Sequence, residues 1–182
     1  MLNFIEKENN WIWVDIEMTG LNEKKCSILQ IGMIITNSKC IEIASENIVI
    51  WQPNNILLKM SPFVRKLHEK NGLLKLVKNS IISIAGAEEK LMKTITKYVD
   101  YKKGILIGNT IYVDRRFLKS YMPSLESYLH YKQIDISSLQ IICNKWYGKK
   151  GKIKKNISKH IAIDDIRQSI MELKYYKNNF FI

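Results

Sequence analysis

Trp11-Ile12-Trp13-Val14-Asp15-Ile16-Glu17-Met18 is an apolar run broken by two carboxylates, two residues apart. Its aromatic and branched side chains predict a strand with both faces apolar. Successive side chains leave a strand on opposite faces, so Asp15 and Glu17 stand side by side, on the face that also carries Trp11 and Trp13. An acidic pair at this spacing is common on an exposed strand. The two indoles on the same face argue for partial burial instead, where two like charges are costly unless a cation compensates them.

Outward from this strand, Ser27–Thr36 and Ile41–Trp51 read as two further strands about the polar turn Asn37-Ser38-Lys39, completing a three-strand meander. Ser61-Pro62 is a helix start, with serine as cap and proline in the first turn, and Gly72 is its stop. Helices are predicted over Ile84–Val99, Val113–Tyr121, Ser137 to about Trp146 and about Ile161 to Lys177, with strands at Gly104–Gly108 and Gln133–Ile136. The lysines of Gly148–Lys159 (149, 150, 152, 154, 155 and 159) suggest an exposed loop. Three strands followed by alternating helices and strands predict an α/β fold, a mixed sheet flanked by helices. With no repeat or linker, 182 residues suit one domain, 1–182.

Composition narrows the class. The 46% apolar and 25% charged residues are globular values. No apolar run reaches the roughly 18 residues of a spanning helix, so no membrane partner is expected. Glu6, Lys7 and Glu8 near the start do not suit a secretory signal. Cys26, Cys40 and Cys143 are odd in number and widely spaced, which predicts neither a disulfide framework nor a zinc site and suits the cytoplasm. The net charge of +12 suits a polyanionic partner, although Lys, Ile, Asn and Tyr are abundant throughout, as AT-rich coding alone would produce.

Two further motifs bear on chemistry. In His160-Ile161-Ala162-Ile163-Asp164-Asp165 the acids open the last helix, where its dipole favours negative charge; an ordinary capping role accounts for them equally well. In Gly108-Asn109-Thr110-Ile111-Tyr112-Val113-Asp114-Arg115-Arg116-Phe117 a strand ends in a turn of small residues and enters a helix carrying Asp114. Each alone is weak.

Together with the first strand, in this order, they resemble the DEDDh exonucleases of the ribonuclease H-like superfamily, and within them the oligoribonuclease family. The resemblance is carried by WVDIEMTGL (Trp13–Leu21), Gly108–Tyr131, IDISSL (Ile134–Leu139) and HIAIDDIRQSIMELKYY (His160–Tyr176), with Met60, Phe63, His68 and Asn71-Gly72-Leu73 between them. It spans about Trp11 to Tyr176. It implies a ribonuclease H-like fold and hydrolysis of very short RNA, dinucleotides especially, from the 3′ end to nucleoside 5′-monophosphates. Asp15, Glu17, Asp114 and Asp165 would bind two Mg²⁺ or Mn²⁺ ions, and His160 would be the general base. Phosphodiester hydrolysis suits such a set: hard cations prefer carboxylate oxygens, and a histidine can take a proton at working pH. The resemblance also implies a homodimer with Tyr131 reaching the partner's site, Leu21 between the terminal bases, His68 against substrate, and Thr110, Lys132 and Ser137 on the 5′-phosphate side.

The chain departs from the family pattern at Tyr112 and Val113, where Gly and Gln are common, at Gln30 in place of an acid, at Phe63 in place of Trp, and in its lysine-rich segment. None of these is among the five implied catalytic positions. Another DEDDh exonuclease, such as a proofreading or tRNA-trimming enzyme, is the near alternative. A catalytically silent RNA-binding module is the distant one.

Overall fold

The computed structural model describes residues 10–153 and 160–181. Trp11–Met18 forms β1, Ile28–Thr36 β2 and Glu42–Val49 β3, an antiparallel meander as expected. Helices α1 (Asn54–Leu57), α2 (Pro62–Lys70), α3 (Leu73–Asn79) and α4 (Ile84–Tyr98) follow. Then come β4 (Ile105–Gly108), α5 (Tyr112–Tyr121), α6 (Pro123–Tyr128), β5 (Gln133–Asp135), α7 (Ile136–Tyr147) and α8 (Ala162–Phe180). The sheet order is β3-β2-β1-β4-β5, with β4 parallel to β1 and β5 parallel to β4. The architecture is therefore the mixed α/β sheet read from the sequence.

Three elements were not foreseen. Helices α1, α3 and α6 have 4, 7 and 6 residues, too short for a 3.6-residue period to declare itself. The expected loop at Gly148–Lys159 begins as a 3-10 turn, Gly148–Gly151, because Gly151 packs against the Cys143 backbone where a Cβ would collide. Lys149, Lys150 and Lys152 are exposed, while Lys154, Lys155 and Lys159 lie outside the described residues. The serine cap is as predicted: Ser61 Oγ accepts the Val64 N–H at 3.3 Å.

β1 is central, so both its faces are covered. Ile12, Val14 and Ile16 pack with Leu91 and Ile95 of α4 and Phe117 of α5. Trp13 points the other way, into a cluster with Ile166, Ile170 and Tyr176 of α8, and its indole N–H donates to Thr36 Oγ1 at 3.0 Å. Each such buried side chain contributes about 1.5–3 kcal/mol. Strand alternation thus places Asp15 and Glu17 on the side covered by α8.

Gly32 sets how closely α8 can approach. It pairs with Asp15 in the sheet, and a Cβ there would lie 3.0 Å from the Ala162 carbonyl carbon and from Ile166 Cδ1. We predict that Gly32→Val destabilises the protein by about 1–3 kcal/mol, the usual cost of overpacking. Urea unfolding measures this; an unchanged midpoint would show that α8 is not pressed against the strand here.

Candidate active site

Four elements converge on the acidic end of β1. Asp165 comes from the first turn of α8, where the helix dipole tolerates negative charge. Asp114 comes from the first turn of α5, and its Oδ1 accepts the Ile16 N–H at 2.9 Å. Pairing of β1 with β4 reaches only Trp13, so Asp114 meets a strand amide beyond the parallel ladder. The swing from β4 to α5 needs Gly108, since a Cβ there would come within 2.8 Å of the Val14 carbonyl oxygen.

The following turn is held from β5. Thr110 has φ +53, rare for a β-branched residue, and its N–H donates to Asp135 Oδ1 at 2.9 Å and Ser137 Oγ at 3.0 Å. Asp135 Oδ1 also accepts the Ser137 N–H and so caps α7. Asn109 joins this turn to α8: its Nδ2 donates to Ser169 Oγ at 2.7 Å, and its Oδ1 accepts from Ser137 Oγ at 3.2 Å.

Between these elements opens a cavity of about 710 Å³, lined by Asp15, Glu17, His160 and Asp165 together with Thr110 and Ser137. Ligand atoms of Glu17, His160 and Asp165 all lie within 4.8 Å of one another. Asn109, Gln168, Ser169 and Glu172 also line it, and sequence reasoning did not single them out. A helical signal was available: residues 165, 168, 169 and 172 follow the i, i+3, i+4, i+7 pattern of one face. Glu172 is buried and accepts a hydrogen bond from the Tyr176 hydroxyl at 3.0 Å.

The carboxylates disfavour one another's charge. Burial and the Asp165 charge raise the Asp15 pKa to about 7. Burial, then Asp15, Asp165 and Asp114, raise that of Glu17 to about 8. Asp114 is pushed well above the carboxylate range by burial and by Asp15, against the pull of its backbone hydrogen bonds. Hard oxygen donors whose ionisation burial and mutual repulsion oppose are a set whose deficit a divalent cation would remove.

The other implied contacts stand apart from this cavity. His68 is only 1% exposed, buried beneath its helix. Its Nε2 donates to the Met18 carbonyl at 3.1 Å, and its Nδ1 lies 3.8 Å from Glu17 Oε2, too far for a hydrogen bond. Burial lowers its pKa and so favours the neutral imidazole beside Glu17. Leu21 is 69% exposed just past β1, its carbonyl accepting from Arg116 Nη2 at 3.3 Å. Tyr131 is 75% exposed and stacked on His130, with Lys132 Nζ 5.8 Å from its ring centroid. Tyr112 carries the Arg116 guanidinium 5.6 Å from its ring centroid.

A mixed sheet with an acid-lined cavity and a histidine at the end of its central strand defines a class of nucleic-acid hydrolases. The chain belongs to the exonuclease family: the model described as Exonuclease (RNase_T) matches residues 12–173. Within that family it is 42% identical to the oligoribonuclease of Francisella tularensis subsp. tularensis, over 95% of this chain and 97% of that one. It is also 42% identical to the oligoribonuclease of Chromobacterium violaceum, over 94% and 96%. It is thus a hydrolase of the oligoribonuclease type, a 3′-to-5′ exonuclease. Among solved structures it superposes on E. coli exonuclease I in complex with an oligonucleotide, with a TM-score of 0.72 at 16% identity. The match covers 95% of this chain and 41% of that chain. Exonuclease I from Methylocaldum szegediense matches with a TM-score of 0.70 at 12% identity, over 94% and 41%. These two support the fold.

The raised carboxylate pKa values predict an inverted pH dependence for the metal-free protein. Groups raised on folding stabilise it fully below their unfolded values near 4, and that stability is lost as pH rises through about 7 to 8. The melting temperature without divalent ions should therefore fall from pH 5 to pH 8.5. Mn²⁺ should restore it most at the alkaline end, since binding to the native state stabilises by mass action. A flat profile that Mn²⁺ does not change would refute the crowding of these acids.

Proposed function

We propose that the protein removes nucleoside 5′-monophosphates from the 3′ end of very short oligoribonucleotides, dinucleotides above all, as a single-domain cytoplasmic homodimer. The observation that carries this is the convergence of Asp15, Glu17, His160 and Asp165 on one cavity, with Asp114 held beside them on the Ile16 amide. The four aspartate and glutamate side chains would hold two Mg²⁺ or Mn²⁺ ions. Such ions supply charge neutralisation at the scissile phosphate and make water a better nucleophile.

The remaining chemistry falls to the chain. His160 takes a proton from the attacking water, whose oxygen forms a bond to the terminal phosphorus. The bond from that phosphorus to the 3′ oxygen of the preceding nucleotide breaks, and that oxygen leaves with the remaining strand and gains a proton. The freed nucleotide keeps its 5′ phosphate. Thr110 and Ser137, tied together on the cavity wall, would receive the substrate's 5′ side, and Leu21 would separate the two bases. Tyr131 and Lys132 would close the partner's site across a two-fold interface. With both ends bounded, a dinucleotide fits and a longer strand must displace the cap.

Asp15→Ala and Asp165→Ala should each abolish hydrolysis in a folded protein; turnover surviving purification from contaminating nuclease would overturn the site. His160→Ala should slow the reaction about 10²–10⁴-fold, the usual worth of a general base. The proximity of His160 to Glu17 and Asp165 favours a second reading, in which the imidazole is a metal ligand. Calorimetry decides between them, because only a ligand's loss abolishes Mn²⁺ binding.

Length preference is tested separately. 5′-Phosphorylated dinucleotides should outcompete longer RNA, and Tyr131→Ala should impair them more than longer chains. The opposing picture is an open groove in which exposed lysines follow a long backbone; affinity would then rise with length and fall steeply with salt. A monomer in sedimentation that prefers long RNA establishes that picture instead.

A further inference from the structure

We infer that Asn71 is a positioning residue for His160: its side-chain amide holds the histidine backbone in the left-handed conformation from which the imidazole meets Glu17 and Asp165. This rests on the reading of His160 as the general base. His160 has φ +51, in the left-handed region that few non-glycine residues occupy, although histidine enters it more readily than most. Asn71 Nδ2 donates to the His160 carbonyl oxygen at 2.6 Å, across 89 residues of sequence. The orientation of that amide is fixed from its other end, where Oδ1 accepts the Leu73 N–H at 3.0 Å at the start of α3. Ile161, which follows His160 and opens α8, has no side-chain cap hydrogen bond.

Asn71 is itself well anchored. It closes α2, and Gly72 in the left-handed region, φ +78, turns the chain into α3. One turn earlier, His68 donates to the Met18 carbonyl at the end of β1. The corner between α2 and α3 therefore grips both the strand end that carries Glu17 and the backbone that carries His160. An outer hydrogen bond of this kind sets the direction of a reacting side chain without touching substrate.

Asn71→Asp tests the inference, because aspartate keeps the acceptor for Leu73 and removes the donor to His160. kcat should fall about 10–100-fold, the usual effect of losing an orienting partner, with KM and the unfolding midpoint nearly unchanged. Asn71→Ser, able to cap Leu73 but too short to reach His160, should fall likewise without adding charge. In a His160→Ala background, Asn71→Asp should change the rate by less than about twofold, since residues acting through one group are not additive. In the metal-free protein, the His160 ring proton resonances should shift or broaden in both Asn71 variants. Wild-type kcat in both variants, equal losses in the two backgrounds, or unaltered His160 resonances would each overturn the inference. If His160→Ala itself keeps full turnover, the general-base reading fails, and the resonances still decide whether Asn71 holds the histidine.

Discussion

Crowding of like charge at the end of an apolar strand is the constraint on which the rest of the structure depends. Asp15 and Glu17 share a face of β1, the strand in the middle of the sheet, and Asp165 and Asp114 are brought to them from two helices. Burial raises the pKa values of Asp15, Glu17 and Asp114, and neighbouring carboxylates raise them further. Nothing in the hydrophobic effect favours this arrangement. It persists because the other residues of β1 are so heavily buried: Ile12 and Trp13 are wholly inaccessible, and Val14 is nearly so. The strand is anchored by its apolar side chains and has stability to lose at its acidic end.

Bringing four chain segments to one point also requires backbones to meet at distances that most residues forbid. Gly32 admits the start of α8, and Gly108 lets β4 end against β1. Thr110 and His160, both lining the cavity, are held at positive φ without being glycine. Strain in each is balanced by hydrogen bonds from elsewhere in the sequence, Asp135 and Ser137 for the first and Asn71 for the second. Removing either set would leave the helices in place and the site geometry unsupported.

Much of this was legible in the sequence. The alternation of Trp11–Met18 placed the acidic pair on one face, and the meander and the order of the long helices followed from periodicity. Asp15, Glu17, Asp114, His160 and Asp165 were found by motif order, because no local pattern links residues so far apart. What could not be read depended on contacts at long range. His68 lies on a largely polar helix, and its buried position is set by the Met18 carbonyl, 50 residues away. Asn71 belonged to a quoted motif, but its partner lies 89 residues on. Short helices such as α3 left no period to detect. Ser169 and Glu172 share the Asp165 face by helical spacing, but only the orientation of α8 turns that face to the cavity.

The charge distribution adds a consequence for the order of binding. The chain carries 29 basic and 17 acidic residues, so its overall field attracts a polyanion. The acids that would meet the scissile phosphate oppose that attraction locally, and ionise only reluctantly until a cation joins them. On the proposed reading, RNA and divalent ions therefore bind with positive coupling: each relieves the electrostatic cost the other would face alone, by equal amounts as linkage requires. The long-range field governs encounter, whereas the cation-loaded site governs productive placement. The excess positive charge need not imply long substrates, since at about 0.15 M salt the field is screened within roughly 8 Å and acts mainly on the rate of arrival.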